Sequence, residues 1–358
     1  MSDWQERAEI DEDVVFFQYA DSEKEKQAND VYVWDLDKTY LDTKFETFKG
    51  LVRTIFEKAF QKKNIPGTAA LVRGLQENCR LTGTSTDLPL YFITASPPQM
   101  EKKILEKLEL DHARPYGVFC KDNLQNLRPR RMWRLTQQVG YKVQALLQMR
   151  LRLKGEVRQI LWGDDSESDA VIYSLYSDIC ARRMSKPELE AVLTNFRVVG
   201  TQMKKIFELQ EQLPIHDPVE KIYINLEEDT DPEYYQKFGR RTVPTTSTFQ
   251  TAVDLFQDGR LQIDQVLSVA EDLMTNFEFT TDELERGLNS LVRREVIGAP
   301  CIELILPELK SSGMIHPKFE LQVQPKAVEE QVDQRVYKLE GSTEPWIPER
   351  IDYLHDYR

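Results

Sequence analysis

The sequence contains few cysteines, no long apolar run and a deficit of positive charge over its 358 residues. The four cysteines are far apart and form no C-x-x-C pair, which argues against a disulfide framework and against a zinc site. No segment approaches the roughly 20 consecutive apolar residues of a transmembrane helix, and the acidic N-terminus lacks the apolar core of a secretory signal. We therefore expect reduced thiols and a cytoplasmic location.

The formal net charge of −13 argues against a general nucleic-acid-binding surface. Residues 114–158 depart from this balance, because they contain eleven basic and two acidic residues. An arginine cluster around Trp133 forms the densest part of this segment. Its members Arg130 and Arg131 are candidates for holding an anionic substrate or for peripheral contact with a membrane. The alternative is that the cluster pairs with acidic parts of the same chain. The arginines of the cluster are Arg128, Arg130, Arg131 and Arg134.

Short apolar segments rich in β-branched and aromatic residues, each followed by turn residues, predict β-strands. Helical patterns lie between these segments, and such alternation is typical of a parallel sheet covered by helices. We therefore predict an α/β fold with a central parallel sheet, followed by a helical C-terminal extension. The predicted strands are Val31–Trp34, Leu90–Ile93, Gly117–Cys120, Gln159–Trp162 and Ile222–Leu226.

Changes in composition divide the chain into three predicted regions. Residues 1–30 contain ten acidic and three basic residues and are expected to form a partly ordered acidic lead-in. Residues 31–245 form the predicted main domain, with a small lid over residues 110–141. Residues 246–358 are expected to form a helical region and a polar tail, and within them Thr280-x-x-Glu283 predicts a capping box at a helix start.

Two aspartates, Asp35 and Asp37, follow directly after the first predicted strand. The carboxyl ends of strands are where ligands bind in open α/β sheets. A buried strand does not normally end in two acids unless a cation neutralises them. The alternative is an ordinary Asp-rich turn.

A turn that contains hydroxyl groups follows the second predicted strand. Thr94 ends that strand, and Ser96 precedes two prolines that lead into a helix. Backbone N–H groups at such a helix start form an anion site, with Thr94 as the stronger phosphate-binding candidate and Ser96 as a substrate-binding candidate. The alternative for Ser96 is that it only caps the helix.

A second acidic cluster, from Asp164 to Asp169, follows the fourth predicted strand and holds four carboxylates. Carboxylates this dense repel one another unless a cation or basic side chains lie among them, and hard carboxylate oxygens suit Mg²⁺. Lys142, in the preceding predicted helix, would pair with these aspartates and with a transferring phosphate. The alternatives are a solvated acidic loop and an ordinary surface lysine.

These parts together are typical of a phosphoryl-transfer site. Mg²⁺ would bridge carboxylates and phosphate, a lysine and backbone amides would hold the phosphate oxygens, and one aspartate would attack phosphorus. A second aspartate would protonate the leaving oxygen and then activate water.

The motifs, taken in order, resemble the four-motif signature of the haloacid-dehalogenase (HAD) superfamily over residues 31–176. The resemblance implies a HAD-like Rossmannoid three-layer fold and Mg²⁺-dependent phosphatase chemistry through an aspartyl-phosphate. The motifs are Asp35-x-Asp37-x-Thr39, then Thr94, then Lys142, then Gly163-Asp164 followed by Asp169.

The same resemblance implies a role for each of these residues. Asp35 is the implied nucleophile, and Asp37 is the implied general acid and base. Thr94 and Lys142 would hold the phosphate. The implied metal-binding residues are Asp35, Asp37 through its backbone carbonyl, Asp164, and Asp169 in support of the metal's water shell.

A narrower resemblance points to the catalytic domain of actin-patch phosphatidate phosphatases, which implies a small phosphorylated or phospholipid substrate. The chain departs from that pattern at Lys38, Asp165 and Ala170, which spares the catalytic roles but weakens any transfer of lipid specificity. The alternatives are a phosphotransferase of the same superfamily and a non-catalytic binding or scaffold protein on a HAD-like frame. The segments that carry the resemblance are Asn64–Thr68, Thr94–Pro97 and Gly163–Tyr173.

Overall fold

The computed structural model divides the chain into two compact units, each built from separate segments of the sequence. The first unit comprises Met1–Lys63, Pro89–Ile224 and Pro348–Arg358, and the second comprises Asn64–Leu88 and Asn225–Ile347. The change in composition predicts a main boundary at residue 245, whereas these units divide after Ile224 and the second also includes an early segment. The structure describes residues 4–41, 64–83, 87–122, 138–166, 168–227, 229–323, 347–348 and 350–355. The arginine cluster and the middle of the predicted lid lie outside the described residues.

The described residues contain eight β-strands, and the five predicted strands are among them as β3 to β7. The strands are β1 (Ala8–Asp11), β2 (Val14–Gln18), β3 (Asp30–Asp35), β4 (Leu90–Thr94), β5 (Gly117–Lys121), β6 (Arg158–Asp164), β7 (Val219–Asn225) and β8 (Thr242–Thr245).

The same residues contain eleven α-helices. The helices are α1 (Ser22–Gln27), α2 (Thr68–Leu81), α3 (Glu101–Leu110), α4 (Val139–Arg152), α5 (Asp169–Ala181), α6 (Lys186–Asn195), α7 (Gly200–Gln212), α8 (Thr248–Gln257), α9 (Ile263–Phe277), α10 (Thr281–Arg293) and α11 (Ala299–Ser311).

A mixed β-sheet forms the centre of the first unit, with strands in the order β1-β2-β5-β4-β3-β6-β7. The neighbours β5, β4, β3 and β6 run parallel to one another. Every residue of β4 and β5 is buried, which explains their nearly continuous apolar sequences, since a parallel sheet is covered on both faces. The register sets Trp34 of β3 beside Trp162 of β6, and their rings stack with centroids 3.8 Å apart. The predicted α/β fold with a central sheet is confirmed.

The N-terminal region differs from the prediction. Residues 1–30, expected as a partly ordered lead-in, contain the antiparallel hairpin β1–β2, and β2 pairs antiparallel with β5. The first four residues of β2 form a buried apolar run, and the ring centroids of Phe16 and Phe119 lie 4.4 Å apart. A Cβ on Gly117 would lie 2.3 Å from a Phe16 ring carbon, so only glycine fits beneath that ring. The burial of these four apolar residues stabilises an ordered hairpin, although the residues around it are acidic.

Helices dominate the second unit, as expected for a C-terminal extension, and α2 from the early segment belongs to it as well. α10 begins with the predicted capping box, in which the Glu283 N–H donates to the Thr280 hydroxyl oxygen and the Thr280 N–H donates to the Glu283 carboxylate. Such a cap contributes about 0.5–2 kcal/mol of stability. The leucines on the buried face of α10 are Leu284, Leu288 and Leu291.

The four cysteines are buried free thiols, in agreement with the expected lack of disulfides. Burial raises the pKa of the Cys180 thiol from 9.0 to about 12, which keeps that thiol protonated and unreactive in the folded chain. Among the described helices, none has the length and apolar character needed to cross a membrane.

Candidate active site

The carboxyl ends of three parallel strands bring predicted catalytic and metal-binding residues of the first unit together. β3 ends at Asp35, its neighbour β4 ends at Thr94, and its other neighbour β6 ends at Asp164. Because these strands run in the same direction, their last side chains meet at one edge of the sheet. All three side chains are buried.

Lys142 connects two of the predicted aspartates. It lies on α4, and its Nζ is 2.9 Å from Asp35 Oδ1 and 2.6 Å from Asp169 Oδ1. The lysine side chain is 1% exposed, and both carboxylates are equally buried. A buried ammonium is tolerated only when it is paired. The alternative of an ordinary surface lysine is therefore wrong.

Hydrogen bonds join the turn after β4 to Asp37. The Thr94 hydroxyl donates to Asp37 Oδ2 at 2.7 Å and accepts from the Ser96 N–H at 3.0 Å. The 3₁₀ turn Pro98–Met100 follows, and Pro97, not Ser96, holds the capping position before it. The alternative that Ser96 caps this helix is therefore wrong. The turn begins one residue later than a Ser96 cap requires, with Pro98 at its first position.

Three aspartates form a group that fits a metal ion. One carboxylate oxygen from each of Asp35, Asp164 and Asp169 lies within 4.8 Å of the other two, and all three residues are buried. The resemblance implies that Asp169 only supports the water shell of the metal. In the structure, a carboxylate oxygen of Asp169 is one of the three oxygens of the group. The carboxylate of Asp37 lies outside the group and accepts from Thr94 instead.

The net charge and the ligand atoms of this group can be compared with what Mg²⁺ requires. Lys142 contributes one positive charge, whereas the three aspartates contribute three negative charges when ionised. Buried carboxylates at such short separation repel one another, which favours the binding of a cation. Hard carboxylate oxygens are the ligands that Mg²⁺ prefers. The residues present therefore fit this ion.

The loop from β6 to α5 requires a glycine at its start. A Cβ on Gly163 would lie 2.3 Å from Asp169 Cβ and 2.5 Å from Asp169 Oδ2. This close approach lets the Asp164 N–H donate to Asp169 Oδ2 at 3.2 Å. The Ser166 N–H then donates to Asp164 Oδ1 at 2.6 Å, and Ser168, at φ 67°, turns the chain into α5. In the sequence, the spacing from Gly163 to Asp169 is the only signal of this requirement.

Tyr141 is a site residue that sequence reasoning missed. Its hydroxyl donates to the Thr94 carbonyl oxygen at 2.8 Å, and it directly precedes Lys142 in α4. Burial raises the pKa of Tyr141 well above its ordinary value, so the hydroxyl stays protonated and remains a donor. The only signal in the sequence was its position beside Lys142, because the contact with Thr94 arises in the folded chain.

Two further predictions concern residues near the motifs. Arg130 and Arg131 lie outside the described residues, so their role in substrate binding stays a prediction. Lys38, where the chain departs from the family pattern, has a left-handed backbone with φ 59°. Residues other than glycine rarely adopt that conformation, and the Lys38 N–H donates to the Leu41 carbonyl oxygen at 2.8 Å in the tight turn that it forms.

Comparison with known proteins gives a family match over part of the chain. Residues 31–186 match the family described as phosphatidate phosphatase APP1, catalytic domain. The matched segment contains all the predicted catalytic and metal-binding residues, from Asp35 to Asp169. Searches of curated proteins and of solved structures found no match. The narrower of the two resemblances is therefore confirmed over residues 31–186, which are similar to the catalytic domain of the phosphatidate phosphatase APP1 family.

Proposed function

We propose that this chain is a Mg²⁺-dependent phosphatase that hydrolyses a phosphomonoester through an aspartyl-phosphate on Asp35. The observation that carries the proposal is the buried group of three aspartates, two of which form ion pairs with Lys142. The name of the matched family supports phosphatidate as the substrate class.

Mg²⁺ would be held by Asp35, Asp164 and Asp169. When bound, the ion polarises the phosphoryl oxygens and offsets the negative charge of the site. Asp169 also accepts from Lys142 and from the Asp164 N–H, so two hydrogen bonds fix the direction of its carboxylate. Such supporting contacts orient metal ligands and tune their affinity.

Asp35 is the proposed nucleophile. The Lys142 ammonium, 2.9 Å from Asp35 Oδ1, favours the ionised carboxylate that attack requires. In the first step a carboxylate oxygen of Asp35 forms a bond to phosphorus, and the bond from phosphorus to the ester oxygen breaks. The products of this step are an acyl phosphate on Asp35 and the departing alcohol.

Asp37 is the proposed general acid and base. The Thr94 hydroxyl, 2.7 Å from Asp37 Oδ2, orients this carboxyl group. Asp37 gives its proton to the ester oxygen as that oxygen leaves. In the second step it takes a proton from the water that attacks phosphorus, and the bond from phosphorus to the Asp35 oxygen breaks. Inorganic phosphate is released, and both aspartates return to their starting states.

A Mg²⁺-dependent screen of phosphomonoesters tests this function. Its arms are phosphatidate in detergent micelles, small soluble phosphoesters and phosphopeptides, with phosphate release measured in the absence of an added alcohol. We expect release from phosphatidate that chelation abolishes. Transfer that requires an added alcohol would support the phosphotransferase alternative, and the lack of release from every arm would favour the scaffold alternative.

Asp35→Asn tests the mechanism directly. We expect turnover to fall by about 10³-fold or more with the fold retained, because an amide does not replace the carboxylate as nucleophile. Hydroxylamine should trap an aspartyl hydroxamate at Asp35 in the unaltered protein only. Asp30→Asn is the matched control, since Asp30 begins the same strand at its opposite end and pairs with Arg158 at 2.6 Å. Full turnover by Asp35→Asn would refute the mechanism.

A further inference from the structure

Tyr141 connects the two elements that carry the proposed phosphate-binding groups. The hydroxyl of Tyr141 donates to the Thr94 carbonyl oxygen, at the end of β4, at 2.8 Å. The next residue along α4 is Lys142, whose ammonium reaches Asp35. One hydrogen bond thus joins the helix that carries the lysine to the strand that carries the threonine.

Lys121 holds the same tyrosine from its ring face. Lys121 is the last residue of β5, and its Nζ lies 5.7 Å from the centroid of the Tyr141 ring. A cation at this distance over an aromatic face attracts the ring, and the attraction is stronger where water is excluded. Both side chains are 1% exposed. The Lys121 N–H also donates to the Ser96 carbonyl oxygen at 3.1 Å, so the turn after Thr94 is tied to β5 as well.

We propose that Tyr141, held by Lys121, is a positioning residue for the phosphatase reaction, acting through Thr94. The inference rests on the proposed function. By fixing the end of β4 against α4, Tyr141 keeps the Thr94 hydroxyl within reach of Asp37 and at a fixed spacing from Lys142. This is a role in geometry, since Tyr141 acts through its hydrogen bond to the Thr94 backbone.

The physical chemistry of the site supports such a role. Burial keeps the tyrosine hydroxyl protonated, so the bond to Thr94 persists over the working pH range. A displacement of about 1 Å in a catalytic group costs up to about 100-fold in rate. Loss of a single supporting bond is therefore expected to reach the chemical step even where the fold is unaffected.

Tyr141→Phe removes the hydroxyl and leaves the ring in place. We expect kcat to fall about tenfold, with KM changed by no more than about twofold. Lys121→Met, which keeps the length of the side chain and removes the charge, should lower kcat in the same direction. Lys121→Arg restores a cation over the ring and should restore kcat.

A double-mutant cycle separates positioning through Thr94 from a general loss of stability. In a Thr94→Val background, which lacks the hydroxyl, Tyr141→Phe should have little further effect on kcat, because the group it positions is gone. Additive losses in the two variants would overturn the inference.

Tyr176→Phe is the matched control. Tyr176 is as buried as Tyr141, and its hydroxyl donates to Gln159 Oε1 at 2.8 Å near the opposite end of β6. We expect this control to lose stability without a change in kcat. If Asp35→Asn is inactive while Tyr141→Phe and Lys121→Met keep the kcat of the unaltered protein, the positioning role fails and the proposed function stands. If Asp35→Asn is active, the proposed function fails.

Discussion

Gly163→Ala tests the geometry of the metal group without removing any charged side chain. The added Cβ would lie 2.3 Å from Asp169 Cβ, 2.5 Å from Asp169 Oδ2 and 2.7 Å from Asp169 Cγ. These are atoms near the root of a short side chain at the start of α5, so rotation about a distant bond cannot relieve the clash. Asp169 must therefore move away from β6.

The movement of Asp169 sets the size of the expected effect. Its carboxylate accepts from Lys142 at 2.6 Å and from the Asp164 N–H at 3.2 Å, and both bonds would be strained or lost. Disruption of contacts that support metal ligands costs about 10–100-fold in metal affinity or activity. Overpacking of a well-packed site costs about 1–3 kcal/mol of stability.

Titration of activity with Mg²⁺ is the assay. We expect the concentration for half-maximal activation to rise by about 10–100-fold in Gly163→Ala, and the melting temperature to fall. Gly155→Ala is the control, because a Cβ at Gly155 would meet nothing within 4 Å. If Gly163→Ala is activated by the same Mg²⁺ concentration as the unaltered protein, the assignment of Asp169 to the metal group is refuted.

Two other predictions concern buried ionisable groups. Lys142→Met leaves Asp35 and Asp169 without their ammonium. We expect the free energy of unfolding in urea to fall by about 3–5 kcal/mol and turnover to be abolished. A free energy of unfolding near that of the unaltered protein would contradict the burial of this ion pair. Burial raises the pKa of the Cys180 thiol from 9.0 to about 12. The folded chain therefore keeps a proton that the unfolded chain releases, and stability falls as pH rises above about 9. Unfolding measured at pH 8 and at about pH 10.5 should show a smaller loss in Cys180→Ala, and an equal loss in both proteins would contradict the shift.

Local patterns explain why the sequence predicts so much of the first unit. Each strand of the parallel centre is a short apolar run followed by polar turn residues, and both signals lie within a few residues of each other. The order of Asp35, Thr94, Lys142 and Asp164 along the chain then indicates one shared edge, because parallel strands end on the same side. The structure brings these residues together at that edge.

The features that sequence reasoning missed depend on contacts between distant segments. The buried run of β2 is short and surrounded by acids, and its pairing with β5 is formed across about 100 residues of chain. The division into two units has the same origin. The helix α2 belongs to the same unit as helices that lie much later in the chain, and local patterns do not show this. The need for glycine at position 163 comes from the close approach of Asp169, which spacing alone does not reveal.

The hydroxyl of Thr94 sets a constraint on the order of events at the proposed site. A threonine hydroxyl has one proton to donate, and here it donates that proton to Asp37 Oδ2 at 2.7 Å. It cannot donate the same proton to a substrate phosphate while Asp37 is an ionised acceptor. The donation to Asp37 is therefore the interaction that Thr94→Val removes. Tyr141→Phe should have little further effect in that background, because the tyrosine positions that one hydroxyl through the Thr94 backbone.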